Sequence, residues 1–120
     1  MTDDELLARA DTIAARAYAP YSNFNVGAAV LARDGRVFEG VNAENASYPL
    51  GICAERSALA RAATEGLRPG EVVAIAITAS PCGGCRQWLH EWDLERVIFR
   101  GKREVVRRTT AELLPDSFDL

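Results

Sequence analysis

Val72-Val73-Ala74-Ile75-Ala76-Ile77-Thr78-Ala79 is apolar at every position but Thr78 and carries no charge. A strand with one wet face alternates apolar and polar residues, whereas a strand covered on both faces reads as an unbroken apolar run. The stretch therefore predicts a central strand with helices above and below it. Just upstream, Cys53 to Glu65 reads as a helix with Glu55, Leu59, Ala62 and Ala63 toward one side and Gly66 placed to end it. Just downstream, Ser80-Pro81 leads into a helix that starts near Gly83 and carries Trp88, Leu89 and Trp92.

Further out, Thr2 with Glu5 three residues later makes a capping box. Leu6, Ala10, Ile13, Ala14 and Ala17 follow at helical spacing, and Pro20 is placed to stop that helix. Phe24, Val26, Ala28 and Val30 alternate as one face of a strand, Asp34-Gly35 signals a hairpin turn, and Val37, Phe38 and Val41 lie in the returning strand. The C-terminal part reads as two short strands, about Arg96 to Phe99 and Glu104 to Arg107 around Gly101, with a last turn near Thr110 to Leu114. This order predicts an α/β fold, a three-layer α/β/α arrangement with a mixed, about five-stranded sheet.

A chain of 120 residues suits one domain, spanning residues 1–120, with a core of its own. Its 48% hydrophobic and 26% charged residues are ordinary for a globular protein, and no apolar run approaches the roughly 20 residues of a membrane-spanning helix. The acidic start, Met1-Thr2-Asp3-Asp4-Glu5, does not have the form of a secretory signal, so the cytoplasm is the expected compartment. A net charge of −3 argues against a nucleic-acid partner. The one basic cluster, Arg96, Arg100, Lys102, Arg103, Arg107 and Arg108, is accompanied only by Phe99 and reads as a charged edge hairpin.

The chemistry sits in two phrases, Cys53-Ala54-Glu55-Arg56 and Pro81-Cys82-Gly83-Gly84-Cys85-Arg86-Gln87, which hold all 3 cysteines. An odd cysteine count with a Cys-x-x-Cys fits metal binding in a reducing compartment better than a disulfide framework. Three protein ligands leave the fourth position of a zinc ion open, as catalytic sites do. Both phrases fall where a helix begins, and a helix N-terminus favours the thiolate. Glu55, two residues after the first ligand, would stand near the open position without binding the metal, as a proton shuttle must. Three thiolates over-neutralise one zinc, so Arg56 is expected beside them, hydrogen-bonded to a thiolate, with Arg86 as a second cation nearby. A closed site would need His90, the only histidine. Five residues along a helix from Cys85, or about 140° of rotation, it should face away.

The chain resembles the cytidine deaminase family, specifically its small enzymes of free nucleosides. The resemblance runs through Tyr18-Ala19-Pro20-Tyr21-Ser22-Asn23-Phe24-Asn25-Val26-Gly27-Ala28-Ala29, Gly40-Val41-Asn42-Ala43-Glu44-Asn45-Ala46-Ser47-Tyr48, the two cysteine phrases and Glu112-Leu113-Leu114-Pro115. It implies one zinc per chain on Cys53, Cys82 and Cys85, Glu55 as the catalytic acid and base, and a homotetramer. It further implies that Phe24 packs on the pyrimidine, that Asn42 and Glu44 bind the ribose 3′-hydroxyl, and that the backbone at Ala54 and near Ser80 reads the base edge. Ala46, Tyr48 and Phe118 resemble positions that reach a neighbouring subunit's site. The reaction implied is hydrolytic deamination of cytidine and deoxycytidine to uridine and deoxyuridine with release of ammonia, a step of pyrimidine salvage. Two departures stand out: Thr78-Ala79-Ser80-Pro81 is shorter than the family's usual loop, and the hairpin around Gly101 is trimmed. The alternatives are a deaminase of another aminopyrimidine nucleoside such as blasticidin S, a polynucleotide cytosine deaminase, and a structural zinc module. The last would leave Glu55, Phe24, Asn42 and Glu44 without a common purpose.

Overall fold

The apolar run at 72–79 forms a strand over Val72–Ile77 that is buried at every position. In the computed structural model, which describes residues 1–120, this strand is the middle of a five-stranded sheet. The strands are β1 Gly27–Ala32, β2 Val37–Val41, β3 Val72–Ile77, β4 Arg96–Arg100 and β5 Val105–Arg108, in the spatial order β2-β1-β3-β4-β5. Only the β3–β4 pair is parallel; the other three are antiparallel. The helices are α1 Asp3–Ile13, α2 Ala54–Thr64, α3 Gly83–Trp92 and the short α4 Thr110–Leu113. The mixed five-stranded sheet is the one the sequence predicts.

Alternation along the strands sorts side chains onto two faces. Ala28, Val30, Phe38, Ile75, Ile77, Val97 and Phe99 face α2 and α3, where Ala58, Leu59, Leu89 and Trp92 complete the larger core. Ala29, Ala74, Ala76 and Ile98 face α1, whose Leu6, Leu7 and Ala10 cover them. Each fully buried leucine contributes roughly 1.5–3 kcal/mol of apolar transfer. Small residues on the α1 side let that helix lie close to the sheet. Gly27 carries this furthest, since a Cβ there would overlap the Ala10 carbonyl and stand 2.9 Å from Ala14 N.

The capping box forms as read, with Thr2 Oγ1 accepting from Glu5 N at 3.1 Å and Glu5 Oε1 accepting from Thr2 N at 3.2 Å. Helix α1 stops earlier than Pro20 demands. It gives way to a 3₁₀ turn at Ala14–Arg16, because Tyr18 must run extended to bridge Ala43. The buried stripe therefore shifts to Leu6, Leu7 and Ala10, leaving Ile13, Ala14 and Ala17 half-buried.

Phe24 is likewise not a strand residue. β1 begins at Gly27, and the left-handed backbone of Asn23 (φ 57°) turns the chain ahead of it. In the basic hairpin, Arg96 and Arg107 both pair with Asp3 at 3.0 and 3.1 Å, and Arg100 pairs with Asp11 at 2.6 Å. Those three guanidinium groups fasten the sheet edge to α1. No helix is long and apolar enough to cross a membrane.

Candidate active site and metal centre

Cys53 is the N-cap of α2 and Cys82 the N-cap of α3, and neither end has a side-chain cap. Cys85 follows in the first turn of α3 and is fully buried. The two helix N-termini converge so that the three sulfurs lie within 4.8 Å of one another. Thiolates on a tetrahedral zinc with Zn–S bonds of about 2.3 Å stand about 3.8 Å apart, so the donor set fits one such ion with small side-chain movements. His90 stays outside this cluster, as its helical phase requires. Its Nε2 meets Asp119 Oδ1 at 2.8 Å and Ser117 Oγ at 3.1 Å.

Burial sets the electrostatics of the cluster. It pushes the Cys85 thiol far above its ordinary pKa, reinforced by the Glu55 charge, and raises Cys53 as well. At Cys82 burial also acts upward, but the nearby Cys85 and Gly84 backbone N–H groups and the neighbouring sulfurs prevail and hold the thiol below its ordinary value. Bare protein thus disfavours three thiolates side by side. A divalent cation supplies the missing charge.

Arg56 supplies part of it from behind. Its guanidinium lies against Cys85, and interaction with that sulfur and the other two outweighs burial and raises its pKa. Arg56 Nε is buried without a hydrogen-bond partner. An orphaned buried N–H of this kind suits a neighbour that becomes more negative when the metal binds. Gly84 opens the space, because a Cβ there would collide with an Arg56 terminal nitrogen. Arg86, the other cation proposed for this role, does not face the sulfurs. Its three nitrogens go instead to Pro81 O, Leu113 O and Ser80 Oγ.

Glu55 is one of two buried polar residues in the chain, at 4% exposure. Burial raises its pKa, opposed by its own backbone N–H and by Cys85 and Arg56. Its placement depends on α2 lying close to β2. Gly40 permits that contact, since a Cβ would overlap Ala58 N and stand 2.8 Å from Ala54 O. The approach to α2 is fixed by a short zipper: Ala43 exchanges backbone hydrogen bonds with Ile52 at 3.0 and 2.9 Å, and Tyr18 pairs with Asn42 and Glu44 on the other side.

These elements wall a cleft of about 370 Å³. Phe24, Asn42, Glu44, Tyr48, Cys53, Ala54, Glu55, Ser80 and Cys82 all line it, so most of the sequence-predicted site is brought together. Phe24 is 60% exposed, its ring free to serve as a platform. Asn42 and Glu44 both bear on the cleft, though their side chains also hold its walls. Asn42 Oδ1 accepts from Val26 N, and Glu44 Oε1 accepts from the backbone N–H groups of Tyr21 and Ser22, all near 3 Å. Ser22 Oγ donates to Glu44 Oε2. Ala46 and Phe118 do not line the cleft; both are exposed, and Gln87 Nε2 donates to the Phe118 carbonyl at 3.2 Å.

Ser22 is the residue that sequence reasoning missed. Besides holding Glu44, its Oγ accepts from Phe24 N at 3.0 Å, the local turn that serine makes two residues ahead of a backbone N–H. Its position between Tyr21 and Asn23 was the available signal.

Residues 1–100 match the family model described as the cytidine and deoxycytidylate deaminase zinc-binding region. The curated cytidine deaminase of Halalkalibacterium halodurans is 47% identical over 111 residues, covering 85% of this chain and 83% of its own. That of Sporosarcina psychrophila is 37% identical over 125 residues, covering 98% and 92%. The crystal structure of cytidine deaminase from Burkholderia pseudomallei superposes with a TM-score of 0.91 at 45% identity, covering 98% of this chain and 100% of that one. With its three cysteines converged beside a buried Glu55, the chain belongs to the cytidine and deoxycytidylate deaminase family.

Proposed function

We propose that this protein is a zinc-dependent hydrolase that deaminates cytidine and deoxycytidine to uridine and deoxyuridine, releasing ammonia. The observation that carries the reading is a buried carboxyl, Glu55, in the same cleft as an exposed aromatic ring and two of the three clustered cysteines, Cys53 and Cys82. Its relatives above are named for cytidine.

Cys53, Cys82 and Cys85 would hold one zinc per chain, and the ion would supply the Lewis acidity that makes water nucleophilic near neutral pH. Glu55 takes the proton of the attacking water and gives it to N3 as oxygen bonds to C4. The same carboxylate then carries the second proton to the amine, the C4–N4 bond breaks and ammonia leaves. Burial suits Glu55 to hold a proton between those transfers. Phe24 packs on the ring, and backbone at Ala54 and near Ser80 meets the base edge. Asn42 and Glu44 bind the 3′-hydroxyl, an amide and a carboxylate matching a group that both donates and accepts.

The sugar side favours nucleoside over nucleotide. No lysine or arginine of this chain lines the cleft, so its walls offer a 5′-phosphate no cation. We further assign residues 1–120 to one catalytic domain acting in the cytoplasm as a homotetramer, with Ala46, Tyr48 and Phe118 reaching a neighbouring subunit's site. Their exposure supports this.

The direct test is the absorbance loss of cytidine, deoxycytidine, deoxycytidylate and blasticidin S mixed with zinc-loaded protein. Turnover of the first two, with the nucleotide poorly used, is expected. A folded, zinc-replete protein inert toward both nucleosides would overturn the reading.

A further inference from the structure

We propose that Arg86 is a positioning residue: by fastening Ser80-Pro81 to the end of α4, it sets Cys82 in the metal site and the cleft wall beside it. The inference rests on the zinc site described above.

The segment entering α3 has little else to hold it. Thr78 N donates to Gly27 O and Cys82 O accepts from Arg86 N, each at 3.0 Å, and no residue between them makes a backbone–backbone hydrogen bond. The sulfur of Cys82, the N-cap, is turned to the cysteine cluster. Yet Ala79, Ser80 and Cys82 all line the cleft. A short, weakly bonded loop thus carries one metal ligand and part of the substrate wall.

Arg86 closes that gap from the first turn of α3, directly after Cys85. Its Nε donates to Pro81 O at 2.9 Å, one terminal nitrogen to Leu113 O at 3.2 Å and the other to Ser80 Oγ at 3.4 Å. Pro81 is buried, so the Arg86 bond is what its carbonyl has in place of water. Leu113 is the last residue of α4, where helix carbonyls go unpaired, and the guanidinium caps that end. A planar fork with five donors serves three acceptors at fixed angles. The lysine ammonium, a point charge on a flexible stem, does not.

The test compares Arg86→Ala and Arg86→Lys with the parent, all zinc-loaded. Zinc release to a chelator is read without substrate, so it decides the matter whether or not cytidine is turned over. Both variants are expected to release zinc about tenfold or more faster, the usual scale for losing support around a metal ligand. The cobalt-loaded variants should show an altered thiolate charge-transfer band, and cytidine KM should rise more than kcat per bound metal changes. Failure of lysine to rescue separates directed hydrogen bonding from mere charge. Should Arg86→Ala not fold, Arg86→Lys, which keeps stem and charge, carries the same expectations alone. Parental zinc release, cobalt spectrum and KM in a folded variant, even with a lowered melting temperature, would reduce Arg86 to a structural tie and overturn the proposal.

Discussion

Asn42 holds Phe24 by its backbone: Asn42 Nδ2 donates to the Phe24 carbonyl at 2.9 Å while Oδ1 accepts from Val26 N at 2.8 Å. One amide thereby does for residues 24–26 what a neighbouring strand does elsewhere in a sheet. An amide oxygen has two lone pairs and an amide nitrogen two hydrogens, so Asn42 retains one of each for a ligand. Asn42→Ala removes both ties, and Asn42→Asp keeps the acceptor but sets a carboxylate against the Phe24 carbonyl. Each should cost about 1–3 kcal/mol in a urea melt and raise cytidine KM. Aspartate is expected to be no better than alanine, since it adds repulsion.

Glu55→Gln keeps the shape of the side chain and removes the proton carrier. The variant should fold, retain one zinc per chain and lose about 10²–10⁴-fold in kcat. Because the amide carries no charge to desolvate, its melting temperature should not fall below that of the parent. Metal analysis alongside steady-state kinetics checks both halves. Near-parental turnover would remove Glu55 from the proton path.

The fold was legible wherever burial writes a pattern into sequence. Val72–Ile77 could be read as a strand covered on both faces because both layers exclude charge, and the Thr2–Glu5 box marked α1 within a residue. The cysteine phrases were legible because metal geometry restricts both spacing and residue type. Phe24 was misplaced onto a strand because its partner is a side chain eighteen residues away, and such pairing leaves no periodic trace. Arg86 was misread for a related reason. Its place beside Cys85 suggests charge compensation, but its direction depends on Leu113, which the chain brings back only at the end of α4, after β4 and β5.

Gly40→Ala tests how closely α2 must lie on β2. The new methyl meets backbone of Ala54 and Ala58, which no rotamer change relieves, so α2 must move, carrying Cys53 and Glu55 at its start. Overpacking of this kind costs about 1–3 kcal/mol. Zinc-loaded variant should melt earlier and show lower kcat, although residue 40 does not line the cleft. An unchanged kcat would mean that the helix start tolerates the shift.

Metal removal should be felt by the fold as well as the chemistry. The cluster joins the N-termini of α2 and α3, which are otherwise united by side-chain packing in the larger core and by Arg56 against Cys85. Free zinc at about a thousand times its Kd adds about 4 kcal/mol to the unfolding free energy. Stripping zinc with a chelator should lower the melting temperature, and stoichiometric zinc should restore it. Cys85→Ser should lose most of that gain, whereas His90→Ala should keep it, since His90 contacts Asp119 and Ser117 and no sulfur.

Glu44 gives the acid side of stability a local cause. The Ser22 hydroxyl and backbone N–H, with the Tyr21 N–H, hold its carboxyl below the ordinary value of 4.5. A carboxyl whose pKa is depressed on folding stabilises the native state fully above its unfolded value and loses that contribution as pH falls through the folded one. Stability should therefore drop on acidification from about pH 4.5 downward, and Glu44→Gln should flatten that part of the curve. Glu112, lowered by the Thr109 backbone and hydroxyl in the α4 capping box, has the same sign, so stability alone does not single out Glu44. Cytidine KM does. Glu112 does not line the cleft, so Glu112→Gln should alter the acid melt and leave KM unchanged, whereas Glu44→Gln should alter both. A parental KM in Glu44→Gln would confine Glu44 to holding the Tyr21-Ser22 turn.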